Sequence, residues 1–336
     1  MLLLDLAIII VNYNTRDLLR DCLASVYDNR GDFRFQVCVV DNCSSDGSAA
    51  MVRAEFPQVR VIESDFNGGF AYANNLGLRS FGFMEVGEGA GSPERPTSTD
   101  ELPRYILLLN PDTVLPPSAL AGMLEFMEAH PEAGIVGPRL VLADGSLDLA
   151  CRRSFPTPQV AFYRLIGLSK LFPRSRRFGR YNLTYLDPAE TAEVDSVVGA
   201  CMMVRREAIQ QVGLLDETFW MYGEDLDWAY RMKCAGWKAF YNPQVTVLHY
   251  KEASSRGDQA IRPKTRYEFY RAMYIFYRKH YAATTPFWLR WLIVGGIVLR
   301  GGMVMFREIL GRASLSLPHK PYVHTGREDQ DRRGGD

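Results

Sequence analysis

Glycine-rich phosphate loops are missing from this chain. The first apolar run, Leu6-Ala-Ile-Ile-Ile-Val11, leads into Asn12-Tyr-Asn-Thr-Arg16, which has neither the GxGxxG spacing of a dinucleotide site nor the GxxxxGK[ST] of a P-loop. That removes support for nicotinamide-dependent and Walker-type enzymes, so any phosphate must be held by another device. Net charge is missing too: Lys plus Arg (39) equals Asp plus Glu (39), which gives no argument for nucleic acid. The six cysteines, at 22, 38, 43, 151, 201 and 234, show no CxxC spacing and no compact disulfide pattern. A reducing compartment is the expected setting. Met1-Leu-Leu-Leu4 resembles the start of a signal peptide, but it has no basic flank, Asp5 interrupts it, and no small-residue cleavage site follows. It reads as the entry to a strand. No internal repeat is evident.

The composition is ordinary for a globular protein, with hydrophobic residues at 47% and charged residues at 23%. Leu6 to Val11 is β-branched and uninterrupted, as in a parallel strand covered on both faces. A helical pattern follows from Thr15 to Tyr27, then a second strand from Phe35 to Val40 that ends at Asp41-Asn-Cys-Ser-Ser-Asp-Gly-Ser48. After a further helical stretch, Val59 to Ile62 makes a third strand. This alternation predicts an open α/β sheet, which binds its ligand at the carboxyl ends of the strands. Glu85 to Pro103 is rich in Gly, Pro, Ser, Thr and Glu and reads as a mobile surface insertion. Later runs predict a strand over Gly134 to Gly137, one apolar stretch from Val194 to Val204, and two short strands at Ala239–Tyr241 and Val245–His249.

Two acidic sites stand out. Leu107-Leu-Leu-Asn-Pro-Asp112 is a buried run that delivers a carboxylate to its tip. Such a carboxylate is costly to bury unless a cation or a donor meets it, and Mg²⁺ or Mn²⁺ shared with diphosphate oxygens suits the site. Gly223-Glu-Asp-Leu-Asp227 opens a helix that ends near Gly236. The helix macrodipole alone accounts for acids in a first turn. Trp220-Met-Tyr-Gly223 ahead of them, however, is an aromatic, glycine-hinged loop of the kind that lines a sugar pocket. His249, at the end of a later strand, is placed to offer an imidazole to the same metal as Asp112. Basic residues crowd from Arg152 to Arg180 and again from Arg262 to Lys279, so a local anionic partner such as phosphate or lipid is expected.

Tyr267, Tyr270, Tyr274, Tyr277 and Tyr281 form a helical stripe that is expected to pack on the core. Phe287 to Phe306 approaches the roughly 20 residues that a membrane span requires, but it contains Arg290, Arg300 and four glycines. It reads as a helix or hairpin lying in one leaflet, with Trp288 and Trp291 at the headgroup level. A polar, disordered tail is expected after it.

Six ordered pieces resemble the inverting glycosyltransferase family 2: Ile8 to Asn14, Val40 to Ser48, Asn67 to Gly77, Leu109-Asn-Pro-Asp-Thr113, Val198 to Val204 and Gly223 to Asp227. The resemblance covers roughly Leu6 to Tyr250. It implies a GT-A fold, an open and mostly parallel α/β sheet flanked by helices, here with a C-terminal helical membrane-associating segment. It also implies that Asp41 recognises the nucleobase, that Asp112 is the metal-binding acid of a DxD motif, that His249 is a metal ligand, and that Asp225 is the general base. Asn110 stands where the first acid of DxD is usual. Within the family the chain is most similar to rhamnosyltransferase-like enzymes of cell-wall and surface-polysaccharide assembly, through Cys151-Arg-Arg-Ser-Phe-Pro-Thr-Pro158 and Leu168 to Arg174.

The expected site therefore has Asn12, Asp41, Asn67 and Asp112 on a dTDP- or UDP-sugar, with Asp112 and His249 on Mg²⁺ or Mn²⁺. Trp220, Tyr222, Glu224, Arg152 and Arg153 would face a lipid-linked saccharide acceptor, and Asp225 would be the catalytic base. Residues 1–115 would form the nucleotide-sugar half and 116–255 the acceptor and catalytic half. Residues 256–310 would be membrane-associating helices and 311–336 a disordered tail, with the enzyme at the cytoplasmic face of the inner membrane. A sugar nucleotidyltransferase and a non-catalytic membrane-bound carbohydrate-binding protein are the alternatives. The first lacks its basic Gly-rich loop here, and the second is opposed by Asp112, Asp225 and His249 occurring together.

Overall fold

The computed structural model of the protein describes residues 4–86, 102–251 and 261–302. The first half runs β1 (Leu6–Asn12), α1 (Arg16–Tyr27), β2 (Phe35–Asp41), α2 (Ser48–Glu55), β3 (Arg60–Glu63), α3 (Phe70–Ser80), β4 (Tyr105–Leu109) and β5 (Thr113–Val114). The second adds α4 (Ala119–Ala129), β6 (Ala133–Val141), α5 (Pro158–Leu165), α6 (Leu168–Leu171), β7 (Ala192–Val194), β8 (Cys201–Arg205), α7 (Arg206–Val212), α8 (Glu224–Cys234) and β9 (Lys238–His249). Two helices follow, α9 (Ile261–His280) and α10 (Phe287–Gly301).

One nine-stranded sheet joins both halves, in the order β3-β2-β1-β4-β8-β6-β9-β5, with β7 also on β9. From β3 to β4 every neighbour is parallel; beyond β4 the sheet is mixed, with β8 antiparallel to both β4 and β6. All seven residues of β1 are buried, which explains why an unbroken aliphatic run encodes this strand where an alternating pattern would leave one face wet. Each of Ile8, Ile9 and Ile10 is fully buried, a gain of about 1.5–3 kcal/mol apiece over exposure. The register sets Asn12 opposite Asp41 at the ends of β1 and β2, and Thr113 opposite His249 at the ends of β5 and β9. The strand ends therefore gather the polar residues along one edge of an apolar core.

Three sequence expectations change. The run from Val194 to Val204 divides into β7 at the margin and β8 inside the sheet, because the chain turns through Val198 to Ala200 to bring Cys201 beside Leu109. Ala239–Tyr241 and Val245–His249 belong to the single strand β9, whose pairing with β6 slips between Pro138 and Arg139. That slip breaks the local apolar rhythm without ending the strand. Of the five stripe tyrosines only Tyr277 is buried; Ala272 and Phe276 of α9 enter the core, and Ile275 and Tyr281 pack against it partly buried. The insertion expected over 85–103 falls largely, and the tail at 311–336 entirely, outside the described residues. All six cysteines are unpaired.

The helix α9 is clamped onto α8. Phe276 stacks near Phe155 and Tyr230, with ring centroids 6.3 and 5.9 Å apart. Asp227, fully buried, accepts from His280 Nε2 at 2.7 Å, faces Lys279 Nζ at 2.8 Å and binds Arg231 Nε at 2.8 Å. Burial alone would raise the Asp227 carboxyl, but the His280 hydrogen bond and the Arg231 and Lys279 charges bring it down from 3.8 to about 2. A folded-state value below the unfolded one means stability that is fully present above pH 3.8 and is lost as the pH falls through about 2. Asp227→Asn is therefore expected to lose on the order of 2 kcal/mol of unfolding free energy at neutral pH. Urea unfolding of both proteins should show that gap narrowing below about pH 4. A gap independent of pH would mean that Asp227 acts through packing alone.

Candidate active site

At the β1 and β2 tips, Asn12 is fully buried and Asp41 is nearly so. The Asn12 amide donates to Asp41 Oδ1 and to Ser44 Oγ, both at 3.0 Å, while Thr15 Oγ1 donates to Asn12 Oδ1 at 2.7 Å. Asp41 Oδ2 accepts the Ser44 backbone N–H at 2.9 Å. Asn12 thus acts through Asp41, fixing the carboxylate and the Ser44 turn beside it. Each Asp41 oxygen keeps a second lone pair for an incoming donor such as a base N–H.

Asn67 connects this end to the aromatic loop. Its Oδ1 accepts from Asn42 Nδ2 at 3.0 Å and from Gly69 N–H at 3.1 Å, and its carbonyl accepts the Trp220 indole N–H at 3.4 Å. Phe70 N–H donates to Trp220 O at 2.8 Å. Gly69 has φ +91, and a Cβ there would lie 2.2 Å from Trp220 O, so this approach needs glycine. Gly69→Ala is expected to cost more than about 1 kcal/mol and to weaken donor and acceptor binding together. If thermal melting and both KM values were unchanged, the junction between the two loops would carry no such role.

Asp112 is 4% exposed, and its Oδ1 has no hydrogen-bond partner. His249 Nε2 stands 3.4 Å from that oxygen without hydrogen-bonding to it. The other ring nitrogen, Nδ1, is 3.0 Å from Asp148 Oδ2. Asp148 is 1% exposed and also accepts Lys251 Nζ at 2.7 Å and Ala150 N–H at 3.0 Å. Burial would lower the His249 imidazole, but the two carboxylates that flank it outweigh burial and raise it to about 9. Burial works against the Asp148 charge as well, and the bonds from His249 and Lys251 hold its carboxyl far below the usual range.

Among the described residues no group of three or more His, Cys, Asp or Glu side chains is arranged to hold a metal alone. Asp112 and His249 are a pair, which fits a Mg²⁺ or Mn²⁺ completed by diphosphate oxygens and water and displacing the proton that His249 otherwise carries. The orphaned Oδ1 is the feature that calls for such a cation.

Asp225 and Glu224, neighbours in the first turn of α8, have different surroundings. Asp225 Oδ2 accepts Arg153 Nη2 at 2.6 Å and Gly199 N–H at 3.1 Å, and Oδ1 accepts Leu226 N–H at 2.7 Å. Both partners of the Arg153 pair are about nine-tenths buried, so the carboxylate is held in one orientation. Glu224 Oε2 is buried without a partner, and burial together with the Asp225 charge raises the Glu224 carboxyl to about 8. Just before them, Tyr222 (φ +68) and Gly223 (φ +87) are both left-handed, a tight approach that leaves the Tyr222 ring partly exposed, its edge toward Phe269.

Sequence reasoning placed Arg153 on the acceptor, whereas the structure pairs it with Asp225 across 72 residues of chain. Arg152 is 2% exposed, and its two terminal nitrogens donate to Asp187 O and Leu186 O at 2.9 Å. It braces the 152–187 loop through its two terminal nitrogens, while Nε is buried without a partner. Asp227 belongs to the α8–α9 clamp and not to the site. Asp148 was missed altogether; its one local signal is the Asp148-Leu-Ala150 cap turn.

Residues 5–268 match the family described as "Glycosyltransferase like family 2". The N-acetylglucosaminyl-diphospho-decaprenol L-rhamnosyltransferase of Mycobacterium tuberculosis is 30% identical over 277 residues, covering 82% of this chain and 85% of that protein. Among solved structures, S. aureus TarS 1-349 superposes with a TM-score of 0.51 at 13% identity, covering 91% of this chain and 73% of that one. GalNAc-T7 with UDP, GalNAc and Mn²⁺ gives a TM-score of 0.50 at 15% identity. The match covers 74% of this chain but only 44% of that structure. The fold is GT-A-like.

Proposed function

The chain belongs to the glycosyltransferase-like family 2, and on that premise we propose that this glycosyltransferase moves a sugar from a dTDP- or UDP-sugar to a lipid-linked saccharide, with inversion. Rhamnose is the proposed sugar and a polyprenyl-diphosphate saccharide the proposed acceptor, after the mycobacterial relative. The observation that carries the reading is the buried, partnerless Asp112 Oδ1 facing His249 Nε2 at the strand tips. Residues 1–115 contribute Asn12, Asp41, Asn67 and Asp112 to the nucleotide sugar, and residues 116–255 contribute His249, the acceptor side and the base.

Bound by Asp112 and His249, Mg²⁺ or Mn²⁺ would neutralise the charge that develops on the leaving diphosphate. Asp41 accepts a hydrogen bond from the N–H that uracil and thymine share. Trp220 and Tyr222 line the sugar end, and Glu224, protonated at neutral pH, donates to an acceptor oxygen. Asp225, aimed by Arg153 and Gly199, takes the proton of the acceptor hydroxyl as that oxygen attacks the anomeric carbon from the face opposite the diphosphate. One displacement then needs a single ionised carboxylate.

No helix of the described residues is long and apolar enough to cross a membrane. α10 instead exposes Phe287, Trp288, Trp291 and Leu292 along one surface, with Trp291 at 76%. This supports a helix lying in the interface and a peripheral enzyme; the cytoplasmic face of an inner membrane is the proposed location.

The test is to incubate detergent-purified protein with dTDP- and UDP-sugars, with Mg²⁺ or Mn²⁺ or with EDTA, and with or without polyprenyl-diphosphate-sugar. Release of nucleoside diphosphate from one donor, abolished by EDTA and dependent on acceptor, is expected. Binding of donors without any release would favour a carbohydrate-binding protein.

A further inference from the structure

From Leu149 to Leu186 the chain contains no Asp or Glu. Arg152 and Arg153 in this stretch are consumed internally, but Arg164, Lys170, Arg174, Arg176, Arg177 and Arg180 are all exposed. None of these six forms an ion pair among the described residues. Three lie against rings: Arg164 over Tyr181 at 4.3 Å, Arg176 over Tyr185 at 5.9 Å and Arg177 over Tyr163 at 5.4 Å. Interleaved with them are Phe162, Ile166, Leu171 and Phe172, each about half or more exposed, with Leu171 at 68%. Water solvates the cations well, but it leaves the bare apolar side chains interleaved with them unsatisfied. Monomer surfaces seldom expose apolar side chains in such a cluster without a partner.

We propose that the segment from Phe162 to Arg180, carrying α5 and α6, is a second membrane-contact surface, which recognises anionic lipid and sits beside the base. Its apolar side chains enter the boundary between headgroups and acyl chains, while the arginines and lysine reach headgroup phosphates from stems that stay in the apolar layer. Charge complementarity selects this occupant: a free phosphate would use the cations but leave Leu171 and Phe172 without purpose, and a neutral surface would use the reverse. The segment is anchored at both ends beside Arg153, the residue that supports the base. Arg153, five residues before α5, holds Asp225, and Tyr181, just beyond Arg180, accepts Ser154 N–H at its carbonyl. Lipid contact here would therefore set the height of the base above the bilayer, where the hydroxyl of a lipid-linked acceptor arrives. In that last respect the proposal rests on the lipid-linked acceptor reading, but its test does not.

The test is co-sedimentation of the full chain with vesicles of phosphatidylcholine alone and of phosphatidylcholine with phosphatidylglycerol, without donor or acceptor. The parent is expected to prefer the anionic vesicles. Substituting Lys170→Ser, Arg174→Ser and Arg176→Ser together should weaken that binding on the order of a hundredfold, from roughly 1 kcal/mol per basic residue near the surface, and should leave binding to pure phosphatidylcholine unchanged. Separately, Phe172→Trp should add to the fluorescence of the parent's five tryptophans a further component that brominated lipid quenches. Equal binding of parent and triple variant to anionic vesicles, or an unquenched Trp at position 172, would overturn the proposal. So would displacement by inorganic diphosphate at concentrations that leave ionic strength unchanged, which would assign the cations to a free anion. Because turnover in detergent is measured separately, a failure here leaves the transferase reading standing, and a failure of turnover leaves this one.

Discussion

Asp225→Asn is expected to lower the rate of sugar transfer by roughly 10² to 10⁴, the usual contribution of a positioned general base, while donor binding stays near the parent value. The amide keeps the shape of the side chain and can still accept from Gly199 N–H, but it cannot take a proton. Its neighbour provides the contrast. Glu224 is raised to about 8 by burial and by Asp225, so at neutral pH it is already protonated, and Glu224→Gln should change the rate far less than Asp225→Asn. Calorimetric titration with the nucleotide sugar and single-turnover transfer separate the two quantities. If Glu224→Gln were the more damaging change, or if Asp225→Asn retained near-normal transfer, the base would have been assigned to the wrong carboxylate. Arg153→Met tests the support behind it: the Asp225 carboxylate would lose its 2.6 Å partner, and the pH profile of transfer should shift with the rate.

The second large effect is expected at a residue that touches no substrate. Asp148 binds His249 Nδ1 and leaves Nε2 as the nitrogen turned toward Asp112. A histidine ligand is commonly oriented in this way, and loss of the outer carboxylate typically lowers metal affinity 10- to 100-fold. Asp148→Asn should therefore weaken Mn²⁺ binding by about that factor in the presence of nucleoside diphosphate, read by the paramagnetic signal of free Mn²⁺ and not by turnover. The cause can be isolated: in a His249→Ala background the same substitution should have almost no further effect on Mn²⁺, because the group it orients is gone. An equal loss in both backgrounds would make Asp148 a packing residue of the Lys251 turn. Asp112→Asn, by contrast, removes the orphaned carboxylate oxygen itself and should abolish detectable Mn²⁺ binding.

These two cases also show where the sequence is informative. Asp112 and Asp41 could be picked out because parallel strands buried on both faces are written as unbroken apolar runs, and the residue that ends such a run lies at the ligand edge of the sheet. Asp225 is singled out by the resemblance to glycosyltransferase family 2, because a first-turn acid after a glycine hinge is equally explained by the helix macrodipole. The Arg153 to Asp225 pair and the Asp148 to His249 pair were not legible. They span 72 and 101 residues, and nothing in the neighbourhood of either partner records the other. The same limitation explains Arg152, which shares a basic dipeptide with Arg153 yet turns to backbone carbonyls. Local pattern gives a charge and an element, while direction comes from the packing of β7, β8 and α8. It explains Asp227 as well, where an acid that reads as part of the catalytic cluster is instead claimed by Lys279 and His280 of α9, 52 and 53 residues downstream.

The central claim is a single displacement driven by one ionised carboxylate, and the anomeric configuration of the transferred sugar tests it most directly. Product formed from the donor that supports nucleoside diphosphate release should be isolated and its anomeric carbon–hydrogen coupling measured by NMR. The account requires the configuration opposite to that in the nucleotide sugar. Retention would contradict it, because a second nucleophile would then have to hold the sugar between two displacements, and Asp225 would not be acting as the base described here.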